Sequence, residues 1–151
     1  MKSIILAFIV VVLAGCAAVP ISEDSEWRVA GDKTQKILLF RPAGSHSKYS
    51  PIYFGTRDKY VLALKERQYT WLHLPSSTQT FAFIVRGGKE ESATISISSG
   101  EEKCLQLKSA VSGLSKLLIN SSLIGNPGDY SLKKEKCPTA EQMNEYTYVE
   151  Y

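Results

Sequence analysis

From Lys36 onward the chain consists of short apolar or alternating runs separated by Gly, Pro and Ser, a pattern that predicts β-strands. Two of these runs flank Gly87 and Gly88 and predict a hairpin. In its second arm Ile95 and Ile97 share one face, opposite a polar face, as expected where one side of a sheet is solvated. The predicted strands cover residues 37–40, 51–54 (ended by Gly55), 60–64, 68–74, 80–86, 93–98, 104–108 and 130–132. About eight strands predict a mostly β fold, a single small antiparallel β-sandwich of about seven to nine strands.

Residues 109–123 have a less clear pattern. Val111, Leu114 and Leu118 are spaced by three and four residues, as on a helix face, whereas Gly113 favours a turn. We favour a strand over residues 116–123, and the choice between strand and helix stays open.

The N-terminus has a different organisation. Lys2 precedes an apolar run over residues 4–13 and then small residues, which is the layout of a secretory signal. About ten apolar residues are too few for a transmembrane helix, which needs about 20.

The segment that ends this signal, Leu13–Cys16 (Leu-Ala-Gly-Cys), resembles the lipobox of bacterial lipoproteins. The resemblance implies that the cysteine is diacylated, that the signal is cut before it, and that Cys16 is the lipidated first residue of the mature chain. Ala17, in place of an aspartate, implies the outer membrane, on its periplasmic face, rather than the inner membrane or the cell surface. The alternative is an ordinary cleaved signal with a coincidental cysteine.

These patterns divide the chain into four parts. Residues 1–15 are the signal peptide, 16–35 the lipidated cysteine and a flexible tether, 36–136 the β-sandwich domain and 137–151 a C-terminal tail. The tether is polar and mixed, and only Trp27 hints at docking on the fold. What remains after the signal is removed suits one domain.

Charge limits the classes of partner. The chain has 18 Lys and Arg against 15 Asp and Glu, a formal net charge of +3, and the charges are interspersed. Nucleic-acid binding requires a basic patch or stripe. We therefore expect no nucleic-acid partner, and membrane attachment through the lipid on Cys16.

The two remaining cysteines, Cys104 and Cys137, are predicted to form a disulfide in an exported chain. A metal pair would need more Cys or His ligands and a redox couple a Cys-x-x-Cys spacing. Because Leu105 and Leu107 point inward, Cys104 lies on the outer side of its strand. The disulfide would then hold the C-terminal segment over the outside of the sheet, where Thr139 and Gln142 can begin a helical turn as a capping box.

With the strands assigned, residues 36–123 resemble a domain of unknown function found in bacterial lipoproteins, similar to carboxypeptidase-regulatory and PEGA-like β-sandwiches. The resemblance is carried by residues 40–42 (Phe-Arg-Pro), 51–55 (Pro-Ile-Tyr-Phe-Gly), 64–69 and 99–101. A Pro-Gly turn followed by His, usual in that family, is absent from residues 74–80. The resemblance implies the fold but no substrate and no catalytic residue.

Candidate catalytic groups are sparse. The two histidines, His46 and His73, lie in a polar loop and on a strand, and no Gly-x-Ser-x-Gly elbow accompanies them. The carboxylate pairs at residues 90–91 and 101–102 are at turns, where charged residues are solvated. We therefore expect no catalytic residue, no metal and no cofactor.

The candidate binding residues are tyrosines: Tyr49 in a polar loop, and Tyr146, Tyr148 and Tyr151 in the tail. The tail could add a strand to a sheet edge of its own domain or of a partner, although a self-packed or disordered terminus is favoured. The leading hypothesis is a non-catalytic, periplasm-facing domain that binds or scaffolds an envelope component, either another protein or the cell wall. The alternative is an envelope enzyme or enzyme inhibitor.

Overall fold

The computed structural model describes residues 19–23, 25–44, 50–86, 88–99, 104–109 and 130–151. They form nine strands, a 3-10 turn at Glu26–Arg28 and one short helix, α1, at Ala140–Met143. The strands are β1 (Thr34–Arg41), β2 (Ile52–Thr56), β3 (Lys59–Leu64), β4 (Gln68–Pro75), β5 (Thr78–Val85), β6 (Glu91–Ser96), β7 (Cys104–Ser109), β8 (Tyr130–Glu135) and β9 (Thr147–Tyr148). The mostly β fold is confirmed. The region in which strand and helix were left open lies outside the described residues, apart from the end of β7.

Two sheets make up the sandwich. One has five strands in the order β8-β7-β1-β4-β9, and the other has four in the order β3-β2-β5-β6. The five-stranded sheet is mixed, because β1 pairs in parallel with β7 and β4 with β9. The antiparallel prediction holds for the other pairings. Parallel neighbours are joined by long crossovers rather than hairpins, so local turn signals do not reveal them.

The core lies between the sheets and is built from alternating positions. On β4, Thr70, Leu72 and Leu74 are fully buried while their neighbours are partly exposed. Leu39 of β1, Phe81 of β5 and their equivalents on the other strands face them. Each fully buried aliphatic or aromatic side chain contributes roughly 1.5–3 kcal/mol.

β2 does not end at Gly55 as predicted but continues to Thr56, with a bulge against β3 between Phe54 and Gly55. A Cβ at Gly55 would lie 2.0 Å from the Lys59 carbonyl oxygen. Glycine at this position is therefore required by the close approach of two backbones rather than by a turn.

The predicted flexible tether is folded over the part that the structure describes, residues 19–23 and 25–35. Ile21 forms a parallel bridge with Tyr60, and the Ser22 amide donates to the Tyr60 carbonyl at 2.8 Å. Trp27 is only 5% exposed, with its ring 6.0 Å from Phe54 and 5.6 Å from Phe81. The polar composition of the segment concealed that one aromatic side chain closes the core.

The C-terminal strap (residues 137–151) covers the outer side of the five-stranded sheet. The Cys104 and Cys137 sulfurs are 2.00 Å apart, in a disulfide. Around it Leu38, Phe40 and Cys104 are buried, with Met143 of the strap packed against them. The capping box at Thr139 and Gln142 is present. The disulfide therefore joins the strap to the outside of the sheet, where the alternation of β7 had placed Cys104.

Candidate interaction surface

Among the predicted site residues, Cys104 and Cys137 are joined in the disulfide, and the three tail tyrosines lie in the strap. Cys16 and Tyr49 lie outside the described residues. Tyr146 packs edge-on against Phe40 at 5.9 Å between ring centroids, and burial, followed by the charge of Glu145, raises the pKa of its hydroxyl. Its ring is part of the strap's attachment to the sheet.

Tyr151 also has a structural role. Its hydroxyl donates to the carbonyl oxygens of Trp27 and Trp71, at 2.8 and 3.3 Å. Burial raises the pKa of this hydroxyl to about 12, although the Arg28 guanidinium over the ring acts in the opposite direction. Tyr151 thus connects the strap to the 3-10 turn at Glu26–Arg28. Of the three tail tyrosines, Tyr148 is the exposed one, at 50%, beside Tyr69.

The strap also covers the edge of β4. The amides of Thr147 and Val149 donate to the carbonyls of Arg67 and Tyr69 at 2.9 Å, and the Tyr151 hydroxyl continues the series at Trp71. An uncovered edge strand is a template for pairing with another chain. The tail therefore completes its own domain's sheet edge, which was one of the predicted alternatives, and occupies the carbonyls that a partner strand would need.

A different surface is formed by the outer side of the four-stranded sheet, which we call the Thr/Tyr face. Its members are the residues that alternate with the core positions of β2, β3, β5 and β6, together with Tyr60. They are Tyr53, Tyr60, Ala63, Thr78, Thr80, Ala82, Ile84, Ser92, Thr94 and Ser96.

Half of the Thr/Tyr face is an array of hydroxyl groups. Thr78 pairs with Ser96 at 2.9 Å between hydroxyl oxygens, and Thr80 pairs with Thr94 at 3.0 Å. All four side chains are exposed. Cross-strand hydroxyl pairs of this kind stabilise a sheet modestly, and each hydroxyl keeps further acceptor capacity for a ligand.

The rest of the face contains two tyrosines. The rings of Tyr53 and Tyr60 are 6.5 Å apart in an edge-on arrangement. The Tyr60 hydroxyl donates to a carboxylate oxygen of Glu90, so the side chain reaches from β3 to the residue before β6. On β2 and β5, which lie between β3 and β6, the residues in line with Tyr60 are Gly55 and Ala82. Their small size leaves room for the Tyr60 side chain to cross both strands. Burial, followed by the Glu90 hydrogen bond, raises the pKa of Tyr60, which stays a neutral phenol.

The described groups on this face can form hydrogen bonds with a ligand. Among the described residues, its fully exposed side chains all carry neutral hydroxyls, and the Glu90 carboxylate accepts a hydrogen bond from Tyr60. His73 lies on β4 of the other sheet, opposite Lys36. Among the described residues, no group of three His, Cys, Asp or Glu side chains is placed to hold a metal ion.

Sequence reasoning missed one buried charge, Arg41. It is fully buried at the C-terminal end of β1, and its guanidinium donates to the carbonyls of Ser50 and Leu64 at 2.7 and 2.9 Å. Burial lowers its pKa, while Tyr130 and Glu66 oppose that shift, and an arginine stays charged at any ordinary pH. The alternation of β1 places residue 41 on the same side as the core residues 37 and 39, and this pattern could have predicted its burial. Arg41 joins β1 to the other sheet and is a structural residue.

No protein-family model, no curated protein and no solved structure matches the chain. The resemblance to carboxypeptidase-regulatory and PEGA-like domains is thus supported only as far as the two-sheet sandwich. Across the part of the chain with described coordinates, no helix has the length and hydrophobicity needed to cross a bilayer.

Proposed function

We propose that this chain is a non-catalytic, lipid-anchored envelope protein whose sandwich binds the cell wall through the Thr/Tyr face. Its attachment is the covalent lipid on Cys16, in the outer membrane facing the periplasm, as the lipobox at Leu13–Cys16 implies. The disulfide between Cys104 and Cys137 supports an exported location, because disulfides persist in oxidising compartments. The resemblance to sandwich domains of bacterial lipoproteins supports the same class.

The observation that carries the proposal is the composition of the Thr/Tyr face. Glycan strands present hydroxyl groups and apolar sugar-ring faces. Exposed Thr78, Thr80, Thr94 and Ser96 offer neutral donors and acceptors for the hydroxyls. The partly exposed Tyr53 offers an aromatic surface with a polar tip for the ring faces. Exposed neutral hydroxyls match the neutral sugar units of a glycan better than they match a charged partner.

Lipid anchoring strengthens such binding. A domain confined to the membrane surface meets the adjacent wall at a high effective concentration, so that weak individual contacts suffice. Weak contacts spread over the Thr/Tyr face can therefore serve as the binding surface of an anchored protein.

The test is co-sedimentation of the lipidated protein, in detergent, with purified cell-wall sacculi. Thr80→Lys places a long charged side chain in the centre of the hydroxyl array, and we expect its binding to be at least about tenfold weaker, a difference of about 1.4 kcal/mol. Thr147→Lys is the matched control, because Thr147 is an exposed residue on the other sheet. Unchanged thermal unfolding of both variants shows that the fold is intact.

Equal binding by the wild type and both variants would show that the face is not the binding surface. If the wild type does not sediment with sacculi at all, the cell wall is not the ligand. If a photo-crosslinker at Thr94 then captured an envelope protein in the same cells, that protein would be the ligand of the face in place of the cell wall.

A further inference from the structure

The distance from the anchor to the folded domain is short. Ile21, which bridges to Tyr60, is five residues after Cys16. Five residues span at most about 18 Å even when fully extended. If Cys16 is lipidated, as proposed above, the domain cannot stand away from the membrane on a long tether.

The direction of the chain at this point selects one end of the sandwich. Ile21 and Tyr60 pair in parallel, so the residues before Ile21 run alongside those before Tyr60. Pro20 and Val19 therefore run in the direction of Lys59 and the turn between β2 and β3. The chain leaves the domain towards Cys16 past this turn.

We infer that the β2–β3 turn faces the membrane and contacts the anionic phospholipid headgroups of the leaflet that holds the acyl chains. Arg57 and Lys59 are both exposed on this turn, on either side of Asp58. Their charges complement lipid phosphates. Ile21 is 44% exposed beside the turn and is one of the large exposed hydrophobic residues of the described chain. An apolar side chain next to basic ones suits the boundary between headgroups and acyl chains.

The opposite end of the sandwich is then the end farthest from the bilayer. β2 pairs with β5 so that Ile52 lies opposite Val85, and the turn that contains Lys89 follows Val85. Five strand residues separate the level of Ile52 from that of Arg57, which is about 17 Å along the strand. In this orientation the sheets stand upright on the membrane, and the Thr/Tyr face opens sideways.

The inference is tested with the full lipidated protein in vesicles of phosphatidylethanolamine and phosphatidylglycerol that contain brominated phospholipids. Asp58→Cys and Lys89→Cys each introduce one free thiol for an environment-sensitive fluorophore, because Cys104 and Cys137 are bonded to each other. We expect the label at residue 58 to be quenched at least about threefold more than the label at residue 89, since about 17 Å separates the two levels.

A second variant tests the short connection itself. Ten Gly and Ser residues inserted between Ala17 and Ala18 lengthen the connection without changing the domain, and we expect the difference between the two labels to shrink. Equal quenching of the two labels in the original chain, or stronger quenching at residue 89, would overturn the orientation while leaving the anchor intact. Wild-type protein that does not associate with vesicles, or that associates equally as Cys16→Ser, would overturn the anchor and with it this inference.

Discussion

Replacing Trp27 by alanine distinguishes a folded N-terminal segment from a flexible tether. Trp27 is 5% exposed and its ring contacts those of Phe54 and Phe81, so its removal leaves a cavity at one side of the core. Substitution of a buried Trp or Phe by Ala costs about 3–5 kcal/mol. The larger value is expected here, because the Trp27 carbonyl also accepts from Tyr151, and displacement of the turn would break that bond.

The assay is urea unfolding of the soluble Cys16→Ser chain with its disulfide intact, followed by fluorescence and far-ultraviolet circular dichroism. Val29→Ala is the matched control: Val29 is 70% exposed in the same segment, so its truncation should change the free energy of unfolding by no more than about 0.5 kcal/mol. If Trp27→Ala changed the free energy of unfolding as little as the control does, the N-terminal segment would not be packed on the core and would be a flexible tether. It would also remove the basis for the membrane orientation, which depends on Ile21 being docked nearby.

Three further predictions concern the sheet and the strap. Gly55→Ala should lower the free energy of unfolding by more than about 2 kcal/mol, because overpacking typically costs 1–3 kcal/mol and the new Cβ would lie 2.0 Å from a carbonyl oxygen. The control is Gly31→Ala in the same urea titration. It should cost far less, because the nearest side-chain atom is 3.6 Å from the new Cβ. Removal of the disulfide by Cys137→Ser should cost about 4 kcal/mol relative to the oxidised wild type in the chain-entropy model, and the reduced wild type should match the variant. The pKa of Tyr151 is raised from 10.0 to about 12, so its neutral form is stabilised by folding and this contribution is complete below pH 10 and lost as the pH rises towards 12. Tyr151→Phe should therefore show a smaller loss of stability over that range, and an identical alkaline titration of both proteins would contradict the buried hydroxyl.

Several elements of the fold could be predicted from local patterns. The β5–β6 hairpin follows from an apolar run and an alternating run on either side of two glycines, and the outward side of β6 follows from its period of two. The capping box at Thr139 follows from a spacing of three residues. The position of the disulfide outside the sheet follows from the alternation on β7. Each of these depends on neighbours in sequence, for which pattern and structure are directly coupled.

The Thr/Tyr face could be predicted only in part. The solvated side of β6 was visible as alternating Thr and Ser, but its pairing with Thr78 and Thr80 depends on the register of β5 against β6. The contact of Tyr60 with Glu90 depends on the order of four strands and on two small residues between them. The tail tyrosines were chosen for their composition, whereas the fold uses Tyr146 and Tyr151 to hold the strap.

The sequence by itself determined the strand content, the alternation of buried and exposed positions, the disulfide partners and the expectation of an anchor at Cys16, because these depend on residue type and local spacing. Tertiary structure decided which strands are neighbours, that β7 pairs in parallel with β1 and β9 with β4, that Trp27 closes the core and that Arg41 is buried. Contacts between distant segments depend on the packing of the whole core, and a polar segment with a single aromatic residue gives no periodic signal of where it will dock. The orientation inferred above combines both kinds of information: the sequence gives the position of Cys16, and the tertiary structure gives the position of Ile21.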